Sequence, residues 1–170
     1  KGEEAARDFE EAIRLNPTSH NSYYLYGRHC FGAGQMEQAA DLFRKAAELE
    51  PDDFQPLAMR VSALQKLGRH QEAHAVNVQT GAAIERRLQR RPDDVRALLL
   101  GAVQAAIAGD APRAIAYGER AVVARPDDFS TAYNVACAYA VLGDSDRAVE
   151  LLARAVRDGR GNLGWIENDP

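Results

Sequence analysis

The chain has 170 residues, 46% hydrophobic but only 7% aromatic, and a formal net charge of −4 from 21 basic and 25 acidic residues. Well-mixed charges and a pI of about 5.6 argue against nucleic acid or an anionic membrane surface as main partners. The longest apolar stretches, 97–103 and 136–142, are far too short to span a bilayer, and an Ala-rich composition favours helices over strands.

Two cysteines 107 positions apart, Cys30 and Cys137, make no disulfide framework, so a reduced, cytoplasmic setting is the simpler expectation. The chain opens on Lys1-Gly2-Glu3-Glu4-Ala5 with no secretory signal, which leads us to expect a piece of a longer protein.

Read in chain order, proline punctuates helical runs at Pro17, Pro51, Pro92 and Pro126, with gaps of 34, 41 and 34 residues. Three of these prolines are followed by paired acids: Asp52-Asp53, Asp93-Asp94 and Asp127-Asp128. Such acids can cap the next helix and favour its N-terminal dipole. The first run carries Ala5, Phe9 and Ala12 before Pro17. The second begins with "YYLYGRHC", giving Tyr23, Tyr26, Gly27 and Cys30, and continues with Ala39, Phe43 and Ala46 before Pro51. The third contains Arg60-Val61 and a long helical stretch over 70–91 with Gly81 inside it. The fourth carries Ala114, Gly118 and Ala121 before Pro126, and the last Ala148, Leu152 and Ala155. Spacings of four and three keep each trio on one helical face. Between paired helices stand Gly34, Gly68, Gly109 and Gly143, where a left-handed cap is expected.

These in-register marks resemble the tetratricopeptide repeat, a helix–turn–helix module, over nearly the whole chain. The resemblance implies an all-α solenoid of stacked pairs forming a right-handed superhelix with a concave groove. It divides the chain into a partial repeat (second helix only) at 1–17, repeats at 18–51, 52–92, 93–126 and 127–160, and a capping tail at 161–170. The 52–92 unit departs from the pattern. Arg60-Val61 stands where the family usually has Leu-Gly, and its second helix has seven extra residues. Seven residues add about 10 Å and keep the apolar face within about 20° of its phase. Gly81 there permits either a bend or a close helix–helix contact.

Carried over position by position, the resemblance makes Asn21, Tyr24, Arg28, Gln55, Ser62, Gln65, Arg96, Leu99, Val103, Tyr133, Asn134 and Cys137 the groove residues. Members of the family that bind heat-shock chaperones hold two carboxylates with Lys and Asn at these sites. Here Tyr24 and Arg28 take the leading pair and only Lys66 offers a groove lysine. A mixed surface of this kind suits an extended peptide.

Other chemistry is thin. His70 and His74 have metal-chelating spacing but lack a third ligand; Asn77 and Glu72 are the nearest choices, and Glu72 points elsewhere. His29 and Cys30 are helix neighbours that point apart, and Cys30 reads as a small core residue. Cys137 falls on the groove, and Arg96 is the only cation that could activate it. No catalytic set, cofactor or metal is expected. The tail "RGNLGWIENDP" holds Trp165 and Ile166, which are expected to fold back on the last repeat, the alternative being that they begin a further segment. A looser resemblance is to the C-terminal repeats of bacterial multidomain signalling proteins. The expected function is a non-catalytic scaffold for a protein or peptide partner. The alternative is a homodimer formed through 76–88 and the apolar 98–103 stretch.

Overall fold

The computed structural model describes residues 2–157. Among them the chain is entirely helical between its turns: α1 Gly2–Leu15, α2 His20–Gly32, α3 Met36–Leu49, α4 Phe54–Lys66, α5 His70–Arg90, α6 Val95–Ile107, α7 Ala111–Ala124, α8 Phe129–Val141 and α9 Ser145–Arg157. The expected tail, including Trp165 and Ile166, lies outside the described residues.

Two kinds of turn alternate. Every turn into an even-numbered helix contains the proline. Its ring sits second in a four-residue turn closed by Ser19 N–H to Asn16 O (3.1 Å), Asp53 N–H to Glu50 O (3.1 Å), Asp94 N–H to Arg91 O (3.1 Å) and Asp128 N–H to Arg125 O (3.3 Å). Proline presets the φ that this place requires and cannot continue the preceding helix. The fourth residue then caps the next helix. Ser19 accepts from Ser22 N–H, Asp53 from Gln55 N–H, Asp94 from Ala97 N–H and Asp128 from Thr131 N–H. Of each acidic pair, therefore, the second member is the cap, and its carboxylate faces the amides that the helix leaves unpaired.

The turns within helix pairs rest on glycine. Gly34, Gly68, Gly109 and Gly143 have φ between 71° and 80°, a conformation costly for any side chain. The residue after each glycine donates back to the carbonyl five positions earlier: Gln35 to Cys30, Arg69 to Leu64, Asp110 to Ala105 and Asp144 to Tyr139, all at 2.9 Å. This is the Schellman closure, and it satisfies carbonyls at the helix end. Asp110 and Asp144 also cap α7 and α9 through Arg113 N–H and Arg147 N–H. The sequence reading did not pick out these two caps.

By their contacts the residues form two compact units, Lys1–Ala83 and Ile84–Pro170. In the first, α1 packs on α2, α2 on α3 and α3 on α4, while α2 also touches α4. Its core joins Tyr26, Cys30, Ala39 and Phe43, with Phe9 and Ile13 against them. Cys30 is wholly buried, as expected of a small apolar residue, and burial pushes its thiol pKa up. Phe43 lies directly over Gly27: a Cβ there would come within 2.7 Å of the ring. In the second unit α6 packs on α7, α8 on α9, and α6 and α7 both on α8. Alanines make this core: Ala102, Ala105, Ala106, Ala114 and Ala138. A Cβ on Gly118 would come within 2.9 Å of Val135, and one on Gly101 within 2.8 Å of Tyr117. Small residues face large ones, which lets helix backbones approach closely.

The long helix α5 has 21 residues against 14 in α3 and α7. It keeps one buried stripe through Ala73, Val76, Asn77, Thr80, Ala83, Ile84 and Leu88. The Ala–Phe–Ala positions recur at Ala73, Asn77 and Thr80 counted from the preceding repeat. Counted back from the following repeat they fall at Thr80, Ile84 and Arg87. The two copies share Thr80, whose hydroxyl donates to Val76 O at 2.8 Å, so a polar residue fills a small apolar place. Gly81 has nothing within 4 Å of a would-be Cβ, so the close-contact explanation for it is wrong.

These environments predict opposite responses to the same change. Gly27→Ala forces the Phe43 ring aside and is expected to cost about 1–3 kcal/mol. Gly81→Ala adds helix propensity in open space and is expected to stabilise by about 0.5–1 kcal/mol. Urea unfolding of both variants checks this; equal effects of either sign would contradict it.

Candidate partner-binding faces

In the first unit the expected site residues lie on α2 and α4, which touch. Along α2, Asn21 and Arg28 are exposed and Tyr24 is half-buried. The Tyr24 ring leans on Phe43, with centroids 6.0 Å apart, which fixes it from below. The Arg28 guanidinium sits 5.9 Å from the Tyr24 ring centre. On α4, Gln55 is half-buried and its side-chain amide donates to Asp53 Oδ1 at 3.3 Å. Ser62 is half-buried and turned to its own helix, donating weakly to Ala58 O at 3.5 Å; Gln65 is exposed.

One cross-helix contact ties the two sets together. Lys66 Nζ lies 5.7 Å from the ring centre of Phe31 on α2. Phe31 is three residues beyond Arg28, on the same side of α2. It was not among the expected site residues, although that spacing was visible in the sequence. Arg60, which replaces the family's leucine, is half-buried, and burial, with Arg44 nearby, lowers its pKa.

In the second unit the expected residues lie on α6 and α8, which also touch. Arg96 is exposed, while Leu99 and Val103 are half-buried. Val103 packs against the alanine core. On α8 the Tyr133 ring stands 6.2 Å from that of Phe129. Asn134 donates to Ser130 O at 2.7 Å, so its amide is engaged by its own helix. Cys137 is half-buried, and burial pushes its thiol above the ordinary range, with its own backbone opposing weakly. A raised pKa is the opposite of what an activated thiol requires.

The remaining candidates resolve as structure. Glu72 is held by Arg69 through two short contacts, 2.6 and 2.7 Å, away from His70 and His74. Among the described residues no three His, Cys, Asp or Glu side chains gather as a metal site would require. No described helix is long and apolar enough to cross a membrane. Of the apolar stretches expected to support self-association, Val76, Ile84, Leu88 and Leu98 are each at most 7% exposed, whereas Val78 is 62% exposed and Leu99, Leu100 and Val103 are half-buried. Periodicity alone could not tell an inward stripe from an outward one.

The caps set where these faces begin. Asp128 starts α8, which carries Tyr133, Asn134 and Cys137. Its carboxylate pKa is lowered, chiefly by the Thr131 hydroxyl and then by the Thr131 amide, against the opposing effect of burial. A lowered folded pKa means the stabilisation is complete above the ordinary carboxylate range. It is lost as pH falls from that range through the folded value. Asp128→Ala is therefore expected to cost about 1 kcal/mol at neutral pH. The gap to the unaltered protein should close in acid. Urea midpoints at neutral and acid pH test this, and a pH-independent gap would refute it.

Comparison with known proteins places the first part of the chain. A profile of the tetratricopeptide repeat family matches residues 1–54. Among solved structures, TTC0263, a thermophilic TPR protein of Thermus thermophilus, is similar at 18% identity and a TM-score of 0.71, over 96% of this chain and 86% of that one. MamA from Desulfovibrio magneticus RS-1 is similar at 20% identity and a TM-score of 0.60, over 95% and 87% of the two chains. YrrB, a TPR protein with an unusual peptide-binding site, is similar at 19% identity and a TM-score of 0.57, over 95% and 80%. Identities this low speak to the fold. No curated protein matches the sequence.

Proposed function

We propose that the chain, whose residues 1–54 match the tetratricopeptide repeat family and whose fold resembles that of solved TPR proteins, is a tetratricopeptide repeat protein serving as a non-catalytic docking scaffold. In this reading the repeats run 18–51, 52–92, 93–126 and 127–160, after a lone second helix at 1–17. The first helix of each repeat presents the binding side chains to an extended peptide or a neighbouring domain, within the concave groove that such repeats form.

The observation that carries this reading is how little charge the first helices hold. α8 has no charged residue and α6 has only Arg96, whereas α3 and α9 each have five. An ordinary solvent-facing helix side is covered by charges. Here the open positions hold Tyr24, Leu99, Val103, Tyr133 and Cys137 instead, all half-buried. Half-open aromatic and aliphatic side chains fixed by packing beneath them are the makings of a recognition surface. The peptide-binding site named for YrrB is consistent with such a use of the fold.

Self-association is the weaker reading, because Val76, Ile84, Leu88 and Leu98, half of the large apolar residues that suggested it, are covered within the chain. Light scattering separates the two, since a mass that grows with concentration favours self-association.

The docking faces are tested by the combined substitution Tyr24→Ala, Arg28→Ala and Tyr133→Ala, with helicity checked by circular dichroism. Recovery of a partner on immobilised protein should fall at least tenfold, since aromatic anchors lost from such a surface cost about 2 kcal/mol or more each. Unchanged recovery by a folded variant would remove these faces from consideration.

A further inference from the structure

The charge that the first helices do carry is of one sign. Among α2, α4, α6 and α8 there is not one Asp or Glu, and their charged residues are Arg28, Arg60, Lys66 and Arg96. This happens in a chain with more acids than bases. Among the described residues the acids lie instead on the odd-numbered helices and in the turns, where Asp53, Asp94 and Asp128 are committed to capping amides.

Many cations outside the first helices are held by acids. On odd-numbered helices and turns, Arg14 pairs with Glu11, Arg44 with Glu48, Arg69 with Glu72, Arg87 with Asp94, Arg113 with Glu85 and Arg147 with Asp144, each within 2.7 Å. Arg28 and Lys66 have aromatic neighbours in place of carboxylates. Arg28 lies by Tyr24 and Lys66 by Phe31, at 5.9 and 5.7 Å from the ring centres. A ring holds a cation in place by its quadrupole without neutralising its charge. Both cations are exposed, and Lys66 reaches across from α4 to the side of α2 that carries Arg28 and Phe31. The α2–α4 face thus offers two positioned positive charges, aromatic walls beside each, and no competing carboxylate on either helix.

We propose that this face of the first unit takes an acidic peptide segment, its Asp or Glu side chains meeting Arg28 and Lys66 and its apolar groups meeting Tyr24 and Phe31. The proposal rests on the docking reading above and names the chemistry of the partner. A nucleic acid fits less well. Polyphosphate binding draws on many basic contacts, and the acid-rich α1 with Glu10 and Glu11 belongs to the same unit.

The test is selection of a random peptide library displayed on phage against the whole chain. Selected peptides are then synthesised with a fluorescent label and titrated by anisotropy. The expected outcome is enrichment of peptides with net negative charge that weaken as salt is raised. Replacing their Asp and Glu by Asn and Gln should weaken them about tenfold. The double variant R28Q/K66Q should do the same, two exposed charge contacts together being worth about that factor. The variant R14Q, which removes a cation from α1, should leave binding unchanged. Neutral or basic selected peptides that Tyr24→Ala abolishes would overturn the acidic class while leaving the docking face standing. Peptides indifferent to Tyr24→Ala, Arg28 and Lys66, or no enrichment at all, would count against the face itself. Tighter binding of a labelled single-stranded oligonucleotide than of any acidic peptide would also overturn the proposal.

Discussion

The structure depends on one constraint: a helix pair this short cannot bury its own apolar side, so each helix must approach its neighbours closely. Close approach needs a small residue wherever a large one crosses. Gly27 under Phe43 and Gly118 under Val135 meet that need. The alanine core of the second unit meets it in another way, since every participant is small and the fill comes from Val103, Tyr117 and Leu142 at its edge. Dispersion and apolar burial fall off steeply when such contacts loosen, which makes these positions less tolerant than their modest size suggests.

The turns make that packing repeatable. A proline turn always enters an even-numbered helix and a glycine turn always leaves it. Each turn closes its own hydrogen bonds, so the helix ends are satisfied locally and little is asked of neighbouring elements. The caps of the second helices differ: Gln35 makes no side-chain cap before α3, whereas Asp110 caps α7. Propensity and packing must carry α3, whose Ala39, Ala40, Phe43 and Ala46 are all buried.

Much of this was legible in the sequence because it is written in residues with one strong conformational meaning. Proline and glycine announced the turns, and the acid after Pro-Asp announced a cap. What was less legible depended on which side of a helix is covered. The signature in α5 was hidden because Asn77 and Thr80 occupy its buried places, and polar residues break an apolar pattern even when one of them, Thr80, satisfies itself on its own backbone. The stretch around Ile84 and Leu98 looked available for a second copy because hydrophobicity does not say whether a stripe already has a partner. On the candidate faces, Tyr24 and Arg28 followed from the repeat register, whereas Phe31 required seeing where the Lys66 side chain reaches.

The same division explains why docking and stability can coexist in one small module. Among the described residues the odd-numbered helices carry many ion pairs and the bulk of the helical charge, which suits them to water. The even-numbered helices are thereby relieved of that task and can present rings, aliphatic groups and a few cations. Their stability comes from the core they cover, not from their exposed side, so exposed residues there can change without unfolding the chain. This separation recurs from copy to copy: the small buried place taken by Ala39, Ala73, Ala114 and Ala148 is kept, while one open place holds Arg28, Ser62, Val103 and Cys137 in turn. Variation confined to those positions is what allows one scaffold geometry to acquire a particular ligand chemistry.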